Sequence, residues 1–156
     1  MTELFPIRTP VGPLGVVVDA GVLREIRFLE RLPSARGATP GPAARRILER
    51  IAAYFEDPEA PFGLPLSPRG TPFQQRVWQA MQTIPPGRVR SYGEIARQLD
   101  SSPRAVGNAC RRNPIPIVVP CHRVVSAGGI GGYAGATGGR KLAIKRWLLA
   151  HEGVAL

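Results

Sequence analysis

Soft nucleophiles and imidazole bases are scarce in this 156-residue chain: two cysteines, Cys110 and Cys121, and two histidines, His122 and His151. One of each is adjacent, in the run IPIVVPCHRVV (Ile115–Val125). A thiol attacks only as thiolate, and a free cysteine has a pKa of about 8.5. Each unit of lowering takes about 1.4 kcal/mol of differential stabilisation. The sources to look for are a histidine that takes the proton, neighbouring arginines, and a helix N-terminus. Pro120 has no amide donor and confines the residue before it to extended geometry. Ile115–Pro120 is therefore expected to be a stiff buried strand that fixes where Cys121 emerges. On a strand, Cys121 and His122 point to opposite faces. They cooperate only if the chain turns there or a water bridges them, which is a poor fit to a papain-like pair. Haem attachment is excluded, because Cys-x-x-Cys-His is not present. On these two residues alone, a buried thiol beside a satisfied histidine is the simpler account.

Several elements must hold this segment. SSPRAVGNACRRN (Ser101–Asn113) offers Ser102 as N-cap and Pro103 at the first helical position. Asn113-Pro114 ends that helix. Ala105, Val106, Ala109 and Cys110 share its apolar face, while Arg104, Asn108, Arg111 and Arg112 lie outside it. Cys110 is assigned to packing. SYGEIARQL (Ser91–Leu99) precedes it with a capping box, Ser91 and Glu94. Two short helices so joined form a helix-turn-helix pattern. The basic face of the second suits a DNA groove, and suits a solvated surface as well. FQQRVWQAMQTI (Phe73–Ile84) sets Phe73, Val77, Met81 and Ile84 on one side, and GGRKLAIKRWLLAHEG (Gly138–Gly153) turns Leu142, Trp147 and Leu148 inward.

Towards the N-terminus the pattern changes. LGVVVDAGVLREIRFL (Leu14–Leu29) reads as two strands joined at Asp19-Ala20-Gly21. PAARRILERIAAYF (Pro42–Phe55) reads as a helix burying Ala44, Ile47, Leu48, Ile51 and Phe55. The proline-rich stretch Glu56–Pro72 then marks a boundary. The expected fold is α+β, with an N-terminal α/β domain over 1–70 and a helical domain over 71–156. Charge divides at the same place, about +1 in the first part and +9 in the second, within a total of +10. A domain that basic attracts polyanions, nucleic acid first among them. No apolar run reaches the ~20 residues of a membrane span, so no membrane partner is expected. No secretory h-region is present, and the chain reads as cytoplasmic. A structural zinc needs about four Cys/His ligands. The first 109 residues hold none, so neither a metal nor another cofactor is expected.

The wider strings are specific. IPPGRVRSYGEIA (Ile84–Ala96), RAVGNACRRNPIPIVVPCHRVV (Arg104–Val125), GGYAG (Gly131–Gly135) and LAIKRWLLAHEG (Leu142–Gly153) together resemble the O6-alkylguanine-DNA alkyltransferases, the methylated-DNA–protein-cysteine methyltransferase family. The resemblance is strong from Thr71 to Gly153 and weaker before it. It implies a ribonuclease-H-like N-terminal domain and a winged-helix-like C-terminal one. It implies that Cys121 accepts an alkyl group from O6-alkylguanine flipped out of duplex DNA, in a single irreversible turnover. His122 would be the base for the thiol through a water, Glu152 would orient His122, and Asn113 would brace the turn. Tyr92 would donate a proton to the departing guanine, and Arg104 would fill the gap in the base stack. Ser91, Tyr92, Ala105, Gly107, Asn108, Arg111 and Arg123 would contact DNA from the minor groove with Arg104. Val119, Pro120, Gly132, Tyr133, Ala134 and Gly135 would line the substrate pocket. Ala134 lacks the hydroxyl that some relatives carry, and the segment after Gly135 is extended. A monomer is expected in solution, with cooperative assembly on DNA left open. The alternatives are a lesion-binding relative without transfer, disfavoured because Cys121 is kept, and a transcription factor built on the same helices.

Overall fold

The structure is a computed structural model that describes residues 2–33 and 39–155. It divides into two units, Met1–Arg69 and Gly70–Leu156.

In the first unit the expected hairpin is present: β2 (Leu14–Asp19) and β3 (Val22–Phe28) pair antiparallel. Their two-residue link has Ala20 at φ 50° and Gly21 at φ 77°. Positive φ at both positions is the turn whose twist matches a right-twisted strand pair. A third strand, β1 (Thr2–Ile7), was not foreseen and pairs with β2 to give the order β1-β2-β3. Its proline hid it. Pro6 cannot donate to a ladder, which is tolerable only because β1 is an edge strand. Helix α1 (Pro42–Glu56) buries Ala44, Ile47, Ile51 and Tyr54, the last in place of the predicted Phe55, which stays half-buried. The proline-rich stretch has no regular element, but Leu66 bridges to Leu23 beside the sheet.

In the second unit, α2 (Pro72–Gln82) starts one residue earlier than its apolar pattern. Thr71 caps it, with a reciprocal bond from Gln74, and Pro72 takes the first turn. Val77, Trp78, Ala80 and Met81 are buried. The Trp78 indole donates to the Ala109 carbonyl at 2.9 Å and so ties α2 to α4 (Pro103–Arg111). Helix α3 (Tyr92–Gln98) carries the expected Ser91–Glu94 capping box, and Ser102 accepts from the Ala105 amide at the start of α4. Helix α5 (Gly139–His151) buries Ile144, Lys145, Leu148 and Leu149. Leu142 and Trp147, predicted to point inward, are only half-buried.

Ile115–Pro120 is buried, yet it is not a strand. Val119 N–H donates to the Ile115 carbonyl at 2.9 Å, and Ile117 sits at φ 77°. Prolines 114, 116 and 120 remove every second or fourth amide donor, so the run cannot sustain a ladder and folds on itself instead. A tight turn at Pro120 follows, with Cys121 N–H donating to Val119 O at 2.8 Å, and residues Cys121–Arg123 form one 3₁₀ turn. The chain does turn at the cysteine. Its exit, β5 (Val124–Val125), pairs parallel with β4 (Arg90–Ser91), which runs straight into Tyr92. Two paired residues thus set the first residue of α3 beside the turn that carries Cys121.

Candidate active site and nucleic-acid face

Cys121 opens the 3₁₀ turn. Its sulfur borders a cavity of about 390 Å³ although the residue is only 5% exposed. Asn113 holds the preceding loop at both ends: its side chain donates to Val119 O at 2.8 Å and accepts from Ile115 N–H at 3.0 Å. Burial pushes the Cys121 thiol up; the Asn113 amide, the Lys145 charge, its own backbone amide and the Tyr133 hydroxyl pull it down. Neither His122 nor an arginine is among the groups that pull it down. Burial is the largest of these influences and favours the neutral S–H form.

Behind the sulfur lies a dry acid–base cluster. His122 Nε2 lies 2.8 Å from Glu152 Oε2, and both side chains are fully buried. A carboxylate only accepts, so Nε2 donates. Burial lowers the His122 pKa, against the pull of Glu152. The neutral imidazole therefore presents Nδ1 as its acceptor, and this buried atom has no hydrogen-bond partner among the described residues. A buried lone pair of that kind suits a proton acceptor that works through a small intermediary. Arg123 belongs to the same cluster. Its Nε and Nη2 each donate to Glu152 at 2.9 Å, and its Nη1 donates to Ile84 O at 2.6 Å. Arg123 was expected on the DNA face; it is 6% exposed and holds the carboxylate. Its inward direction has a simple cause: a 3₁₀ turn places residues 121–123 all around its axis and this one inward.

Across the cavity, Tyr92 begins α3 with its hydroxyl 3.5 Å from the Gly132 carbonyl. Burial raises its pKa, so the phenol keeps its proton. Gly131 stands at φ 73°, and a Cβ there would lie 3.1 Å from the Tyr92 ring and 3.2 Å from the Ser126 amide. Tyr133 and Ala136 exchange two backbone bonds, at 2.8 and 2.9 Å, around Ala134 (φ 50°) and Gly135 (φ 83°). This tight turn forms the cavity lip, and the Ala134 and Gly135 amides take no part in its bonds. Gly132, Tyr133, Ala134 and Gly135 line the cavity as expected. Val119 and Pro120 do not: they lie buried behind the cysteine, one as acceptor for Asn113 and Cys121, the other as the turn.

The mouth is made by α4. Arg104, Gly107, Asn108 and Arg111 border the cavity, at the i, i+3, i+4, i+7 spacing of one helix face. Arg104, Asn108 and Arg111 are exposed, and Ala105, Ser91 and Tyr92 are half-buried nearby in the chain. A Cβ on Gly107 would meet nothing within 4 Å. Cys110 is buried against Met81, with Sγ–Sδ at 3.6 Å, as a packing residue should be, and burial pushes its thiol up. It also borders the cavity. Among the described residues no group of three or more His, Cys, Asp or Glu side chains could hold a metal, and no helix is long and apolar enough to cross a membrane. Lys145, buried among the apolar residues of α5, was missed. Its i+1 and i−3 relation to Ile144 and Leu148 was the available signal.

Residues 72–154 match the family model described as the DNA-binding domain of 6-O-methylguanine DNA methyltransferase. A methylated-DNA–protein-cysteine methyltransferase of Mycobacterium bovis is 45% identical over 141 residues, covering 86% of each chain. The chain belongs to this family. Solved structures agree: an O6-methylguanine methyltransferase of Mycobacterium tuberculosis superposes with a TM-score of 0.81 at 41% identity, over 100% of this chain and 96% of that one. A Mycobacterium tuberculosis OGT in complex with DNA is 42% identical with a TM-score of 0.79, over 96% and 92%. The family match spans Tyr92, Asn113, Cys121, His122 and Glu152 together with the α4 face.

Proposed function

We propose that the protein repairs DNA by taking O6-alkylguanine out of the duplex and moving the alkyl group irreversibly to Cys121. One observation carries this reading: a cysteine sulfur backed by a histidine–glutamate pair borders a cavity whose mouth is the exposed basic face of a DNA-binding helix. The cavity, at about 390 Å³, lies in the range of small-molecule sites, roughly 300–1,000 Å³. A base in the stack hides its O6 substituent, and extruding it costs a few kcal/mol. Arg104, at the mouth, fills the gap left in the stack. The small residues Ala105 and Gly107 let α4 approach closely in the minor groove.

Each residue then has a step. His122 Nδ1 takes the thiol proton through a water, and Glu152, steadied by Arg123, keeps Nε2 as the donor. The sulfur attacks the saturated alkyl carbon, an S–C bond forms and the C–O6 bond breaks. Tyr92 supplies a proton to the purine, so that neutral guanine leaves, and is reprotonated by the proton that the thiol gave up. Ala134 has no hydroxyl to offer O6, and the free amides of Ala134 and Gly135 take that place. The product is a thioether with no carbonyl for water to attack, so one molecule repairs one lesion. Retention of Cys121 favours transfer over lesion binding alone. We further read the N-terminal unit as ribonuclease-H-like, the C-terminal unit as winged-helix-like, and the protein as a cytoplasmic monomer. The test is mass spectrometry after incubation with duplex DNA carrying O6-methylguanine. One methyl mass on the Cys121 peptide, at one per protein, is expected; intact lesion beside unmodified, folded and reduced protein would overturn the reading.

A further inference from the structure

Lys145 is fully buried, and no carboxylate pairs with it among the described residues. The nearby acid of the site, Glu152, is already engaged by His122 and Arg123. Its ammonium donates instead to two carbonyls, Val124 O at 2.7 Å and Gly132 O at 2.9 Å, and lies 6.0 Å above the Tyr92 ring. Val124 follows the acceptor turn. Gly132 belongs to the cavity loop, and its carbonyl is also the acceptor for Tyr92. One cation therefore joins the segment that carries the sulfur to the loop that faces it.

A buried ammonium without a counterion costs several kcal/mol, and a packing role alone does not require one. The ionisable groups that face it are Cys121 from the 3₁₀ turn, Cys110 from α4 and Tyr92 from α3, with His122 and Arg123 beyond. None of the facing groups is an anion in the resting protein. Cys121 becomes an anion when it gives up its proton, and Tyr92 only for the interval between giving its proton to the purine and regaining one.

We propose that Lys145 is a positioning residue whose charge is the counterion of the Cys121 thiolate and whose two hydrogen bonds hold the cavity loop against the acceptor turn. The proposal rests on Cys121 being the acceptor, and extends that reading by naming what stabilises the anion. Burial brings the Lys145 pKa down to about 8, while Cys121 and Cys110 pull it the other way. Burial disfavours the ammonium and the thiolate alike, and each charge offsets the cost of the other, so the pocket favours S–H at rest and stabilises S⁻ once His122 has taken the proton.

The test needs no DNA, so its failure is distinct from failure of the repair reading. Iodoacetamide alkylation of Cys121 is followed against pH, by mass of its peptide, in the wild-type protein and in Lys145→Met and Lys145→Arg. Lys145→Met is expected to move the thiol midpoint up by a unit or more, with an about ten-fold slower reaction near pH 7.5 that recovers at high pH. Lys145→Arg keeps the charge and should leave the midpoint close to wild type. An unmoved midpoint in Lys145→Met, or equal shifts in both variants, would overturn the counterion role. A second measurement stays with native residue 145. The chain has only two lysines, Lys141 and Lys145, so side-chain NMR assigns them directly. Lys145 should stay protonated to higher pH in the wild type than in Cys121→Ser, and identical titrations would reject the proposal.

Discussion

The two sides of Cys121 are built on opposite plans. Behind it, Glu152 receives three bonds from His122 and Arg123, Arg123 gives a further one to Ile84 O, and every side chain is buried. In front, the wall is made of Gly131, Gly132, Ala134 and Gly135, and of helix residues open to solvent. The first side is closed to substrate and fixes protonation states. The second contributes shape, backbone amides and positive charge. The contrast teaches where each kind of constraint is needed: proton transfer demands atoms held within tenths of an ångström, while an everted base demands room.

The buried side should break hardest. Arg123→Met removes three guanidinium contacts, two of them to the buried carboxylate of Glu152. Breaking one partner of a buried pair costs about 3–5 kcal/mol, a large share of a domain's stability. Chemical denaturation should show that loss, and transfer should fall with it because the carboxylate no longer has a fixed place. A loss below about 1 kcal/mol would mean that the cluster is not a structural unit.

How much of this arrangement was legible beforehand follows the same division. The α3 and α4 caps were readable because Ser91, Glu94 and Ser102 act within one turn. The exposed basic face of α4 was readable because Arg104, Asn108 and Arg111 repeat at helical spacing. The inward turn of Arg123 was not, since a three-residue 3₁₀ turn leaves no periodic trace and an arginine looks like a surface residue until its partner is known. Glu152 lies 29 residues away in the chain. The strand expected over Ile115–Pro120 failed for a related reason: β-branched residues signalled extension, while the prolines, which decide the hydrogen bonding, called for a turn. β4 and β5 were invisible because two residues cannot alternate.

The cavity side should respond in function before stability. Gly131→Ala puts a Cβ 3.1 Å from the Tyr92 ring and 3.2 Å from the Ser126 amide, at a φ of 73°. The left-handed backbone alone costs an L-residue roughly 1–2 kcal/mol. The ring must give way, and Tyr92 is the proton donor of the proposed step. Single-turnover transfer should slow by about ten-fold or more, which is ~1.4 kcal/mol in the barrier, while the thiol titration stays in place. A shifted titration with full transfer would show that the loop serves the acid–base side instead.

Gly107 offers the finest test, because stability and function should move in opposite directions. It lies inside α4, where glycine is about 0.5–1 kcal/mol worse than alanine. A Cβ there meets no protein atom within 4 Å, so nothing in the fold asks for the glycine. Gly107→Ala should therefore raise the melting temperature by roughly 2–4 °C for about 1 kcal/mol in a chain of this size. If the glycine keeps the helix surface low for close approach of a DNA backbone, the same methyl should weaken duplex binding several-fold in a fluorescence-anisotropy titration at fixed salt. Cys121 alkylation by iodoacetamide should be untouched. A more stable protein with unchanged DNA affinity would mean that α4 meets its partner through arginine charge alone, and that the open position at 107 has no part in recognition.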